Sequence, residues 1–111
     1  MDAAEFDVAV DASQIPDTVV VALRGELDYA ACDETAAAIL GALASAHEVI
    51  ADLTHVTFCD SSGLAMFKAA DERAQSEGKR LVLRNLLPNV WRIFDITGVS
   101  QTLNIEPPTR D

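Results

Sequence analysis

The chain opens with a clean alternation. Phe6, Val8 and Val10 are separated by Asp7, Ala9 and Asp11, the period-2 pattern of a strand with one covered and one wet face. Gln14-Ile15-Pro16-Asp17 supplies turn chemistry, after which Thr18-Val19-Val20-Val21-Ala22-Leu23 runs apolar without alternation, as a strand buried on both faces does. These two strands are expected to form an antiparallel hairpin with the first at a sheet edge. Beyond Gly25-Glu26-Leu27-Asp28, Asp33 and Glu34 open a segment in which Cys32, Ala36, Ile39, Leu40, Leu43 and His47 recur at helical spacing. Glu48-Val49-Ile50-Ala51-Asp52-Leu53 is a second short apolar run. Strand two, helix and strand three thus make a crossover unit whose strands should be parallel.

The alternation of strand and helix continues. From Ser61 to about Glu77, Met66, Phe67, Ala70 and Ala74 gather on one face, with Lys68, Glu72 and Gln75 opposite. Gly78 suits the position after a helix end, Lys79 and Arg80 favour the same dipole end, and Leu81-Val82-Leu83 reads as a third buried strand. Pro88 fits the first turn of a third helix with Val90, Trp91, Ile93 and Phe94 as its apolar stripe and Gly98 as its stop; Leu103-Asn104-Ile105 adds a short final strand. The pattern predicts one α/β domain over residues 1–111, with its core at 6–105 and a frayed tail at 106–111. Its sheet is mixed but largely parallel, of four or five strands, with three or four helices.

In such a sheet, sites form in loops leaving the carboxyl ends of strands. Strand two is expected to end into Gly25 to Asp28 and strand three into Thr54 to Ser61, so Asp28, Asp60 and Ser61 should share one rim. Asp60 or Ser61 can cap the second helix. A hydroxyl at that point is either a cap alone or a phosphate carrier, because free N–H groups and the helix dipole both favour negative charge there. Cap and loop roles also account for all three residues.

Charge and composition narrow the chemistry. The formal net charge is −10, from 18 acidic and 8 basic residues, and would repel nucleic acid backbones and anionic lipid, which speaks against direct nucleic-acid binding and membrane insertion. Two cysteines, Cys32 and Cys59, are too few for a disulfide framework or a zinc site, and a reducing compartment fits them. No apolar stretch is long enough to span a bilayer and the acidic N-terminus lacks signal-peptide order, so a cytoplasmic protein is expected. An enzyme is not expected. A serine hydrolase would need a nucleophile elbow and a histidine base, and His47 and His55 are better explained by a helix C-terminus and a solvated loop. Neither histidine has metal-ligand spacing, and the glycines are scattered singly, so neither a metal nor a nucleotide cofactor is expected. A phosphoacceptor role for Asp52 would need an acidic pair and a lysine for magnesium; Asp52 reads instead as a buried strand-end carboxylate held by loop N–H groups. Trp91 reads as core, and Cys59, though near a helix start, has no further mark of a redox sensor.

The order of features resembles one known family. An apolar strand, Gly25-Glu26-Leu27-Asp28, a helix, Asp52-Leu53 and then Phe58-Cys59-Asp60-Ser61-Ser62-Gly63-Leu64 is similar to the STAS-domain anti-sigma-factor antagonists, and Val90-Trp91-Arg92-Ile93-Phe94-Asp95-Ile96-Thr97-Gly98-Val99 resembles that family's closing helix. The resemblance implies a single STAS domain of a bacterial partner-switching regulator. Such a regulator binds an anti-sigma factor that is also a serine kinase, releases a sigma factor, and is switched off by phosphorylation. On that match Ser61 is the phosphoacceptor, and Asp28, Asp60, Ser61, Ser62 and Gly63 form the partner-binding surface. A phosphatase would reset the switch. The alternative within the same resemblance is a stand-alone adaptor in a lipid-transport or stressosome-type complex.

Overall fold

A computed structural model describes residues 5–106. The chain runs β1 (Asp7–Ala12), β2 (Thr18–Leu27), α1 (Tyr29–Ser45), β3 (Glu48–Cys59), α2 (Ser61–Ser76), β4 (Arg80–Arg84), α3 (Pro88–Ile96), a 3-10 turn (Val99–Gln101) and β5 (Asn104–Ile105). The five strands lie in chain order in one sheet. β1 pairs antiparallel with β2, and every other neighbouring pair is parallel. The expected hairpin and crossover units are therefore present. Asp17 takes the left-handed conformation that turns β1 into β2, at a φ of 62° that aspartate tolerates, and its carbonyl accepts from the amides of His47 and Glu48.

One apolar cluster fills the space between sheet and helices. The in-register residues Val21, Ala51 and Leu83, with Val49, Leu53 and Leu81, meet Ile39 and Leu43 of α1, Phe67 and Ala74 of α2, and Val90 and Phe94 of α3. Phe67 and Phe94 are fully buried with ring centroids 6.1 Å apart and tilted at 46°, an edge-biased packing that adds to the area both rings bury. Trp91 and Ile93 pack half-buried against the same cluster.

Several boundaries differ from expectation. β2 is not buried on both faces: Val21 and Leu23 are buried while Val19, Val20 and Ala22 are half-exposed. The helices join the core from one side; Ile50 and Val82, on the opposite register, lie outside that cluster and are flanked by the Arg80–Glu48 pair and by Asp52 and Arg84. α1 begins at Tyr29 rather than near Asp33 and ends before His47, and its buried stripe is Ala31, Thr35, Ile39, Ala42 and Leu43, leaving Cys32, Ala36 and Leu40 half-exposed. Residues 25–27 and 54–59, read as loops, are strand. Glu106 is not frayed: its amide donates to the Leu83 carbonyl and its carboxylate takes two bonds from Arg84. The rest of the expected tail lies outside the described residues.

Asp71 is the one charged residue sunk in the core side of α2, 3% exposed. Its Oδ2 accepts from Gln75 at 2.7 Å, but its Oδ1 has no partner. A buried acceptor left unmatched costs about 1–3 kcal/mol. Asp71→Leu is therefore expected to stabilise the fold by about 1 kcal/mol, seen as a rise of several degrees in thermal midpoint by calorimetry; a lower midpoint would show that the carboxylate is needed where it is.

Candidate functional site

The carboxyl ends of β2 and β3 are adjacent, since Leu27 pairs with Cys59 and the Asp60 amide donates to the Leu27 carbonyl at 3.3 Å. Each strand hands over directly to a helix through an aspartate cap. Asp28 accepts from the Ala31 amide at 3.2 Å, opening α1. Asp60 Oδ1 accepts from the amides of Ser62 (3.0 Å) and Gly63 (3.2 Å) and from the Ser62 hydroxyl (2.5 Å), opening α2. Aspartate is favoured here because its oxygen satisfies amides that have no partner inside the helix. The shared rim of Asp28, Asp60 and Ser61 is thus formed, by short strand-to-helix handovers rather than by long loops.

The cap assignment separates the two serines. Ser61 is the first residue of α2 and is exposed, and its hydroxyl has no hydrogen-bond partner among the described residues. Ser62 is half-buried with its hydroxyl committed to Asp60. Gly63 lies beneath the rim, not on it: a Cβ there would stand 2.6 Å from the Cys59 sulfur and 3.2 Å from Leu27 Cγ. Its place in the motif is explained by close packing of α2 on the strand ends, and it offers no surface to a partner. The α2 amides at Ser62 and Gly63 are also not free to receive a phosphate, because Asp60 holds them.

The Asp60 carboxyl is held below its ordinary value, first by the Ser62 hydroxyl and then, against some desolvation, by the amides of Gly63, Ser62 and Tyr29. The Tyr29 contribution comes from the start of α1, whose own cap is Asp28. Burial pushes the Cys59 thiol up to about 12, with Asp60 and Cys32 adding to it. Cys32 is raised by burial too, partly opposed by Ser62 and reinforced by Asp60, Asp28 and Asp33. These shifts favour the thiol over the thiolate at both sulfurs, the opposite of what a reactive cysteine needs.

Other candidate residues fall elsewhere. Asp52 sits within β3, half-buried rather than at a strand end; desolvation raises its pKa, but bonds from the Thr54 hydroxyl and amide and from Asn85 outweigh this and lower it. His47 is exposed after α1, and His55 is exposed on β3 rather than in a loop. No group of three or more histidine, cysteine, aspartate or glutamate residues is placed to hold a metal among the described residues. No helix among them is long and apolar enough to cross a membrane. The sequence reading missed Tyr29, 81% exposed at the rim beside Asp28; its position directly after a capping aspartate, as Ser61 follows Asp60, was the available signal.

Comparison with known proteins then fixes the lineage. The domain model described as "Mlab, STAS domain" matches residues 8–106. The chain belongs to the STAS domain family. It is 26% identical over 100 residues to the anti-sigma-B factor antagonist of Bacillus subtilis, covering 90% of this chain and 92% of that protein. Its fold is similar to an anti-sigma factor antagonist from Mycobacterium paratuberculosis, with a TM-score of 0.81 and 24% identity over 96% of this STAS chain and 89% of the other. It is also similar to the Bacillus cell fate determinant SpoIIAA in its phosphorylated form, with a TM-score of 0.66 and 24% identity over 93% and 92% of the two chains.

The Asp60 cap makes acid sensitivity testable. Because its folded pKa is depressed, its contribution is present above the unfolded carboxylate value and is lost as pH falls through the folded one. Asp60→Asn retains much of the capping geometry while removing the charge. Thermal midpoints measured from pH 6 to pH 3 are expected to fall less steeply for Asp60→Asn than for the wild type; parallel curves would mean that the cap carries no charge-linked stability.

Proposed function

We propose that this STAS protein is an anti-sigma-factor antagonist that binds an anti-sigma serine kinase, so freeing a sigma factor, and is switched off by phosphorylation of Ser61. It acts as substrate and ligand, not as an enzyme, and works in the cytoplasm. The observation that carries the reading is the contrast at the start of α2: Ser61 is exposed with an uncommitted hydroxyl, whereas its neighbour Ser62 is bound to the cap. End-to-end similarity to a relative named as an anti-sigma-B factor antagonist supports the role. That SpoIIAA has been solved in a phosphorylated form supports modification without loss of this fold.

Physics gives the switch a direction. A phosphate adds about −1.5 to −2 charges beside Asp60, with Asp28 and Asp33 near enough to act on the same cysteine. Asp60 already occupies the nearest helix amides, so the phosphate projects outward into the docking surface. The rim of Glu26, Asp28, Glu34 and Asp60 suits a basic partner face, with exposed Tyr29 and Phe58 as apolar contacts. Added charge and bulk at its centre weaken binding while the fold stays intact, and a phosphatase restores it.

The test uses tagged full-length protein recovered from its own organism and mapped by mass spectrometry. Phosphate is expected on Ser61 in the wild type and nowhere in Ser61→Ala. Ser61→Ala should retain an ATP-binding anti-sigma protein that Ser61→Asp loses, with both variants melting within about 0.5 kcal/mol of wild type, as exposed positions do. Phosphate on Ser62 would overturn the assignment, and equal retention by the two variants would favour a constitutive adaptor in a lipid-transport or stressosome-type complex. Asp28→Asn keeps an equally good cap for α1, so it should fold normally yet bind the partner less well. Unchanged binding would remove Asp28 from the interface.

A further inference from the structure

Near the carboxyl ends of β2 and β3 the ladder is dented. Its register slips between Ala22 and Arg24 and again between Gly25 and Glu26, leaving Thr57 without a partner opposite. Such bulges re-aim side chains and recur beside binding sites. Here they form a cavity of about 450 Å³, lined by Arg24, Glu26, Thr54, His55, Thr57 and the Leu87 edge of α3, a size ordinary for a small-ligand site.

The donors in this cavity are unspent. In a strongly acidic chain, Lys68, Arg73, Arg80 and Arg84 are each paired with a glutamate, and Lys79 reaches the Leu43 carbonyl. Arg24 has no ion pair or side-chain hydrogen bond among the described residues, although Asp7 is its cross-strand partner and Glu26 stands two residues along. His55 lies directly opposite Arg24 in the β2–β3 ladder and is likewise without a side-chain partner. The Thr57 hydroxyl is also free among the described residues, while Thr54 is spent on Asp52. A guanidinium, an imidazole and a hydroxyl that line one cavity, none of them bonded to the nearby Glu26 or Asp7, suit an oxyanion, which takes charge-assisted bonds from all three. Glu26 on the same wall keeps the local charge balance modest and disfavours large polyanions.

We propose that this cavity binds a small molecule through a phosphate or carboxylate group held by Arg24, His55 and Thr57. The site adjoins the Ser61 rim at Glu26, which lines both, but does not depend on the role assigned there. The full-length protein, isotope-labelled, is titrated by amide NMR with inorganic phosphate and, separately, with acetate, each against sodium chloride at matched ionic strength. Saturable shifts are expected at Arg24, Gly25, His55 and Thr57 with one or both oxyanions, and Arg24→Gln should weaken them by at least about tenfold, the loss of one charged bond. Saturation by phosphate alone assigns a phosphoryl ligand, and by acetate alone a carboxylate. His55→Gln serves as a second variant should Arg24→Gln disturb the fold, which the remaining amide signals report. The proposal is overturned if neither anion saturates by about 50 mM, if chloride moves the same signals equally, or if neither substitution changes the response.

Discussion

A single oxygen of Asp60 accepts from two amides and a hydroxyl at the start of α2, while Asp28 caps α1 beside it, where Leu27 pairs with Cys59. Two helices and two strand ends are thereby brought to one point. The geometry follows from parallel strands side by side, each passing straight into a helix, so that both helix dipoles aim their positive ends the same way. An aspartate at each start answers that field. With Ser62 drawn into the cap and Gly63 pressed on the Cys59 sulfur, Ser61 is the serine of the motif left facing outward.

The surroundings of that serine are built to be rigid. Leu27 and Cys59 are fully buried beneath it, and a glycine at position 63 permits a contact that any side chain would obstruct. A rigid platform gives a covalent charge a fixed location, which is what makes it legible to a partner. Had the serine sat on a long loop, the added charge could swing aside.

Periodicity made the fold class and element order readable, because Phe67, Phe94 and Val49, Ala51, Leu53, Leu81 and Leu83 obey the spacings of buried helix and strand. The boundaries were harder. β2 and β3 continue through residues 25–27 and 54–59, where bulges break the alternation: Val56 and Cys59 are both buried yet three positions apart. A period-2 reading takes that spacing for a loop. Asp28, Asp60 and Ser61 were placed together by topology alone, but the commitment of Ser62 and the burial of Gly63 needed coordinates, since both depend on which aspartate oxygen faces which amide. Asp71 was invisible for the opposite reason: helical spacing put it on the apolar face, and its residue type argued against burial. The Arg24 cavity has no linear signature, as it is made by two register slips in strands far apart in sequence.

β4 stops opposite Asp52 while β3 runs on to Cys59. Along that stretch the outer edge of β3 has no strand beside it among the described residues. The start of α3 lies there instead, and Asn89 donates to the Thr57 carbonyl at 3.0 Å. A short helix started by Pro88 thus does the work of an edge guard. Exposed strand edges invite another chain to add itself, so if α3 lifted away, the β3 backbone that leads to the serine would become a template for self-association. The closing helix thus covers a strand edge as well as filling the core.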